Sequence, residues 1–142
     1  MRQDIVAQAR EWIGVPFVHQ GRTRLGVDCV GLLLCVCREL GVVEPDFDVT
    51  GYPRQPDGTT LLEICGRYMT RIGREDLQPG DAIVLRFERL PQHMGIVGDY
   101  RHGGLSIIHA LGSPDGKGRV IEHHLNTSTM ARFVAAYALP GV

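Results

Sequence analysis

No apolar run in this chain is long enough to cross a bilayer. The longest, Val30 to Cys37, falls well short of the roughly 20 residues a membrane helix needs. The first residues, MRQDIVAQAREW, hold no apolar stretch of the signal-peptide kind, so the expected location is cytoplasmic, without membrane insertion. Neither sign of charge is in excess: 15 Lys and Arg face 16 Asp and Glu, for a formal net charge of -1. A cationic field for a phosphate backbone is thereby excluded, and no nucleic-acid partner is expected. The cysteines, Cys29, Cys35, Cys37 and Cys65, include no CxxC pair, so they offer no zinc framework and are read as reduced thiols. Internal repeats and low-complexity segments are absent.

What is present suits one compact domain spanning residues 1–142, since 44% apolar content is enough for a packed core. Ile5, Val6, Ala9, Trp12 and Ile13 recur at helical spacing and predict a helix over 3–13, stopped by Gly14 and Pro16. Residues 14 to 28 read as a structured loop, with Gly21 and Gly26 as positions of special backbone angle. A buried helix is expected from Cys29 to Leu40, capped by Asp28 and closed by Gly41. The stretch 45 to 59, rich in Pro, Gly and Asp, reads as surface, and 60–69 as a short helix. From Asp81 the period falls to two, with strands expected at 82–87, 93–98, 105–110, 118–123 and 132–139. Helices first and strands afterwards predict an α+β fold with a mostly antiparallel sheet.

Cys29 is the candidate nucleophile. It opens the buried helix in the string GVDCVGLLL, where unpaired N–H groups and the helix dipole favour a thiolate. The same N–H groups could stabilise an oxyanion, and Gly31 would leave the first turn open to a substrate backbone. Cys35, Cys37 and Cys65 read as small buried hydrophobes.

A thiol nucleophile needs a base, and six histidines are available. His93 starts the strand HMGIVG and His109 ends LSIIHA. Placed opposite each other in a hairpin, the two rings would share a face at roughly 5 Å between Cβ atoms. His93 would then be the base and His109 the group that orients it. His102 lies in an apparent turn, and of His123 and His124 at most one can share the face of the site. His19 stands in the loop just upstream of Cys29.

The sequence resembles the NlpC/P60 cysteine peptidases. The resemblance is carried by GVPFVHQGRTRLGVDCVGLLL at 14 to 34, LQPGDAIVL at 77 to 85, HMGIVG at 93 to 98 and IIHA at 107 to 110. It implies a papain-like fold with Cys29 as nucleophile, His93 as base and His109 as the third, orienting residue. It also implies cleavage of amide bonds in bacterial cell-wall peptides, typically beside γ-D-glutamate. The short length and the ending RVIEHHLNTSTMARFVAAYALP look like the phage-tail branch, with other tail proteins as further partners. Three positions depart from the family pattern: Phe17 replaces a Tyr, Gln20 precedes Gly21 in place of paired glycines, and Val30 replaces a Ser.

The expected chemistry is therefore thiol-based peptide hydrolysis, with no cofactor and no metal. Two other readings stay open: a tail-assembly component that keeps the fold without the activity, and acyl transfer through a thioester. Substrate is expected in a short polar cleft beside the loop, contacted by Phe17, His19, Gln20, Arg22, Arg24 and Asp28. In that cleft Arg22 or Arg24 would grip a carboxylate and Asp28 an amine.

Overall fold

The computed structural model describes residues 1–142 except 54–56, 58, 88 and 89, and the side chains of 87 and 90–92 are likewise outside the description. The expected surface stretch 45 to 59 thus lies partly outside the described residues.

Helix α1 covers Arg2–Arg10 and ends short of the expected residue 13. Its last turn tightens, with Trp12 N–H bonding Ala9 O at 3.0 Å. The chain then turns through Gly14, at φ +94°, whose N–H reaches Val120 O at 2.9 Å. Trp12 stays buried past the helix end and donates its indole N–H to Glu39 Oε1 at 2.6 Å.

Helix α2 covers Cys29–Glu39, and the Asp28 carboxylate caps it by accepting the Gly31 N–H at 2.7 Å. At its other end Gly41, at φ +71°, allows Val42 N–H to reach back to Cys37 O at 2.9 Å, and this paired C-cap stops the helix. Helix α3 spans Thr60–Tyr68, close to the expected range.

A two-stranded ribbon in the loop, β1 (Arg22–Thr23) with β2 (Gly26–Val27), precedes α2. Among the described residues the main sheet has six strands: β3 (Thr70–Ile72), β4 (Ala82–Phe87), β5 (Leu90–Asp99), β6 (Leu105–Leu111), β7 (Arg119–His124) and β8 (Phe133–Ala138). Their order is β3-β8-β4-β5-β6-β7, every neighbour is antiparallel, and the short α4 (Thr127–Met130) links β7 to β8. The α+β expectation holds, as do the five expected strands to within a few residues. The edge strand β3 and the ribbon β1–β2 are additions.

Alternation divides the sheet into two apolar faces. Val84, Ile96, Ile108 and Val120 are buried with Ile5 and Val6 of α1 and Leu32 and Val36 of α2. Ile83, Leu85, Val97 and Ile107 form a smaller cluster with Leu125 on the opposite alternation.

One irregularity of this sheet positions the site. The ladder between β5 and β6 stops at Ile96 with Ile108, whereas β5 stays paired to β4 down to Leu90 and β6 to β7 up to Leu111. Below Ile96 the two strands part, and the start of α2 faces the opening.

Candidate active site

A cavity of about 280 Å³ occupies that opening. Cys29 enters it from the first residue of α2, His93 from β5, Ala110 and Leu111 from the end of β6, and Gly112 from just beyond it. Phe17, His19 and Asp28 of the loop line it too, together with Tyr52 and Pro53. The cavity therefore gathers Cys29, His93, Phe17, His19 and Asp28 from the sequence-derived set, while His109, Gln20, Arg22 and Arg24 do not line it.

Cys29 sits where backbone N–H groups converge. Burial and the neighbouring Asp28 carboxylate push its thiol up to about 11, while backbone hydrogen bonds from Met94, Val30 and Cys29 itself pull the other way. The helix-start effect expected from sequence is present but outweighed, so the resting group near pH 7 is a thiol. The Met94 N–H comes from the parted stretch of β5, which is how the split sheet serves the sulfur. Burial alone drives Cys37 up to about 12, and Cys35 and Cys65 are buried and free of disulfides, as inert core thiols should be.

His93 and His109 are both buried, and His93 Nε2 lies 2.5 Å from His109 Nδ1. Burial, then the charges of His109 and His123, hold His93 down at about 3, and burial followed by His123 holds His109 at about 4. Both rings are neutral near pH 7.

The expected register needs a correction. Ile96 lies opposite Ile108, which aligns Gly95 rather than His93 with His109. The displacement is two residues, so parity is kept and the rings meet on a diagonal instead of face to face. Gly95 makes the diagonal possible, because a Cβ there would lie 3.1 Å from His109 Cβ and 2.7 Å from Ile107 Cγ1.

The loop contributes an ionic cluster. Asp28 accepts from Gly31 N at 2.7 Å, Gln20 N at 2.7 Å, the Tyr52 hydroxyl at 2.7 Å and Arg22 Nη1 at 3.3 Å. Arg22 also binds Asp48 at 2.9 Å, the Val49 carbonyl at 2.9 Å and the Tyr52 oxygen at 2.7 Å. Burial raises the pKa of the Tyr52 hydroxyl despite the pull of Arg22, so that hydroxyl stays protonated and donates to Asp28.

Several expectations change here. The guanidinium of Arg22 is engaged inside the fold. That of Arg24 lies 3.9 Å over the Trp12 ring and binds Glu39 at 3.0 Å, so neither arginine is placed to grip a carboxylate in the cavity. Asp28 is held as cap and ion-pair partner. Gln20 is exposed, and its part is its backbone N–H and its left-handed φ of 59°. Gly21 and Gly26 serve close approach and not special angles: a Cβ on Gly21 would lie 2.3 Å from Gly26 O, and one on Gly26 2.2 Å from Val18 Cγ2. Gly31 leaves room for the Gly21 carbonyl, 2.2 Å from where its Cβ would be, and not for substrate.

Two residues were missed from sequence. Tyr52 stands in a stretch with no periodicity, and only the fold carries it to Asp28. Sequence alone does not choose between His123 and His124; in the structure His123 Nε2 lies 2.9 Å from His109 Nε2, which extends the row of rings across three strands. Parity with His109 was the one signal available for it.

The NlpC/P60 family model matches residues 14–137. A curated relative, a probable endopeptidase of Haemophilus influenzae, is 33% identical over 91 residues, 63% of this chain and 48% of that protein. The chain thus spans about half the length of that relative. An NlpC/P60 family protein from Bacillus cereus superposes with a TM-score of 0.69 at 19% identity, over 99% of this chain and 40% of that one. The NlpC/P60 domain of the peptidoglycan hydrolase SagA superposes at 0.61 with 24% identity, over 98% of this chain and 99% of that domain. These solved structures share the fold of helices on an antiparallel sheet, and the family match covers the helix bearing Cys29 and the strands bearing both buried histidines. The chain belongs to the NlpC/P60 family.

Proposed function

We propose that this protein is a cysteine peptidase acting on bacterial cell-wall peptides, with Cys29 as nucleophile and His93 as base. The observation that carries the reading is the shared cavity: a thiol at a helix start and a buried imidazole line one opening in a split sheet. The name of the Haemophilus relative, a probable endopeptidase, and that of the SagA hydrolase support the substrate class. The finer assignment is the bond between γ-D-glutamate and diaminopimelate. Service within a phage tail rests on sequence resemblance alone.

The chemistry follows from two neutral partners. As Cys29 Sγ attacks the amide carbon, its proton passes to His93, and the carbonyl becomes an oxyanion beside the N–H groups at the start of α2. Collapse expels the amine with the proton from His93 and leaves a thioester on Cys29. Water then adds to the thioester with His93 taking its proton, and that proton returns to the sulfur as the acid departs. Because burial disfavours both a thiolate and an imidazolium here, proton transfer accompanies attack and no ion pair stands ready beforehand. Phe17 supplies an apolar wall against Gly112, and His19 and Tyr52 supply the polar groups of the loop side.

Digestion of a purified cell-wall tetrapeptide tests the proposal. Wild-type protein should cut it, and Cys29→Ala should lower the rate at least ~1,000-fold with an unchanged circular dichroism spectrum. Equal cleavage by the variant would reject the assignment.

A further inference from the structure

The row of imidazoles ends on a group whose role is fixed. His123 Nδ1 lies 3.0 Å from the carbonyl oxygen of His124. A backbone carbonyl only accepts, so His123 carries its proton on Nδ1 and, when neutral, presents a lone pair at Nε2. Facing it at 2.9 Å, His109 Nε2 must be the donor. His109 Nδ1 is then an acceptor, and at 2.5 Å His93 Nε2 must donate to it. The basic nitrogen of His93 is thereby Nδ1. Every other assignment for three neutral rings sets two donors or two lone pairs against each other at one contact.

Strand register sets this row. His123 pairs with Ile107 across β6–β7, and His109 pairs with Ile121, so the two histidines are diagonal neighbours on one face. One strand over, continuing the Ile96–Ile108 register past the last bonded pair sets His93 on the same diagonal from His109. The row runs from the cavity at Cys29 to a second cavity of about 640 Å³, which His123 lines with Arg10, Tyr100 and Glu122. Of those, Glu122 is occupied by Arg10 at 2.9 Å and Ser106 at 2.6 Å, so the His124 carbonyl remains the anchor for the His123 ring.

We propose that His123 is a positioning residue: through His109 it holds His93 in the tautomer that keeps Nδ1 as the base. The inference deepens the peptidase reading and rests on it. His123→Phe keeps a ring and removes both polar atoms, whereas His123→Gln keeps an acceptor for the His109 N–H. Nitrogen-15 spectra of the imidazoles in the resting, full-length protein read the tautomer directly, with His93 assigned by its loss in His93→Gln. Wild type and His123→Gln should show His93 protonated on Nε2 alone, and His123→Phe should show a mixture of both tautomers. On the tetrapeptide, His123→Phe should lose about tenfold or more in kcat with KM unchanged, and His123→Gln should stay within about threefold of wild type. A purely structural role would make both variants alike. A single Nε2–H tautomer retained in His123→Phe, or His93 protonated on Nδ1 in wild type, would overturn the proposal. The spectra require no substrate, so a protein that cuts no peptide would sink the peptidase reading while the tautomer is still decided.

Discussion

Asp28 and His93 border the same cavity, yet they are held in opposite ways. The Asp28 carboxylate is gripped from several sides, by two backbone N–H groups, a phenol and a guanidinium. His93 is joined to His109, and His109 to His123, through one ring contact each. A charge satisfied from every direction cannot pass a proton or turn, so the Asp28 cluster pins the loop against the start of α2. A neutral ring held in a row of imidazoles suits a group that takes up and releases a proton. Under the proposed mechanism the first is scaffold and the second reagent, even though both are polar and buried.

That contrast can be broken first at Asp28. Asp28→Ala removes the helix cap and leaves Arg22 and the Tyr52 hydroxyl short of an acceptor inside the fold. Urea unfolding should show a loss of about 3–5 kcal/mol. A loss under about 1 kcal/mol would mean that the cluster is not the scaffold described.

A smaller effect concerns acid. His93 and His109 stand at about 3 and about 4 in the folded protein, below the ordinary value of 6.5. Between those values and 6.5 the unfolded chain binds protons that the folded one refuses. Their contribution is therefore complete above 6.5 and is lost as pH falls towards the folded values. The slope is up to about 1.4 kcal/mol per pH unit for each ring. Urea midpoints measured at pH 7 and pH 5 in His93→Gln should show a shallower decline than in wild type, and equal declines would remove His93 from the acid response.

Much of this architecture is legible in the residues. The period-two runs after Asp81 mark five strands because half-buried strands alternate, and Asp28 with Gly41 bounds α2 because those positions need a cap acceptor and a left-handed turn. β3 escapes notice because Thr70–Ile72 is a three-residue edge strand without alternation, and its place is set by β8. Cys29, His93 and His109 stand out by type and context. Their register does not, because the pairing across the turn at Tyr100–Gly104 can slide by two residues without moving any side chain to the other face. Arg22 and Arg24 mislead because charge on a loop looks available until Asp48, Glu39 and the Trp12 ring are brought to it. The thiol's state misleads for a related reason: a helix start is visible in sequence, whereas the burial that outweighs it belongs to the packed fold.

The proposed mechanism passes through a covalent acyl-enzyme on Cys29, and acid-quenched mass spectrometry during turnover of the tetrapeptide detects that species. One added acyl fragment is expected, localised by fragment ions to Cys29 and absent from Cys29→Ala. Turnover without any adduct, or an adduct on Cys35, Cys37 or Cys65 instead, would contradict it.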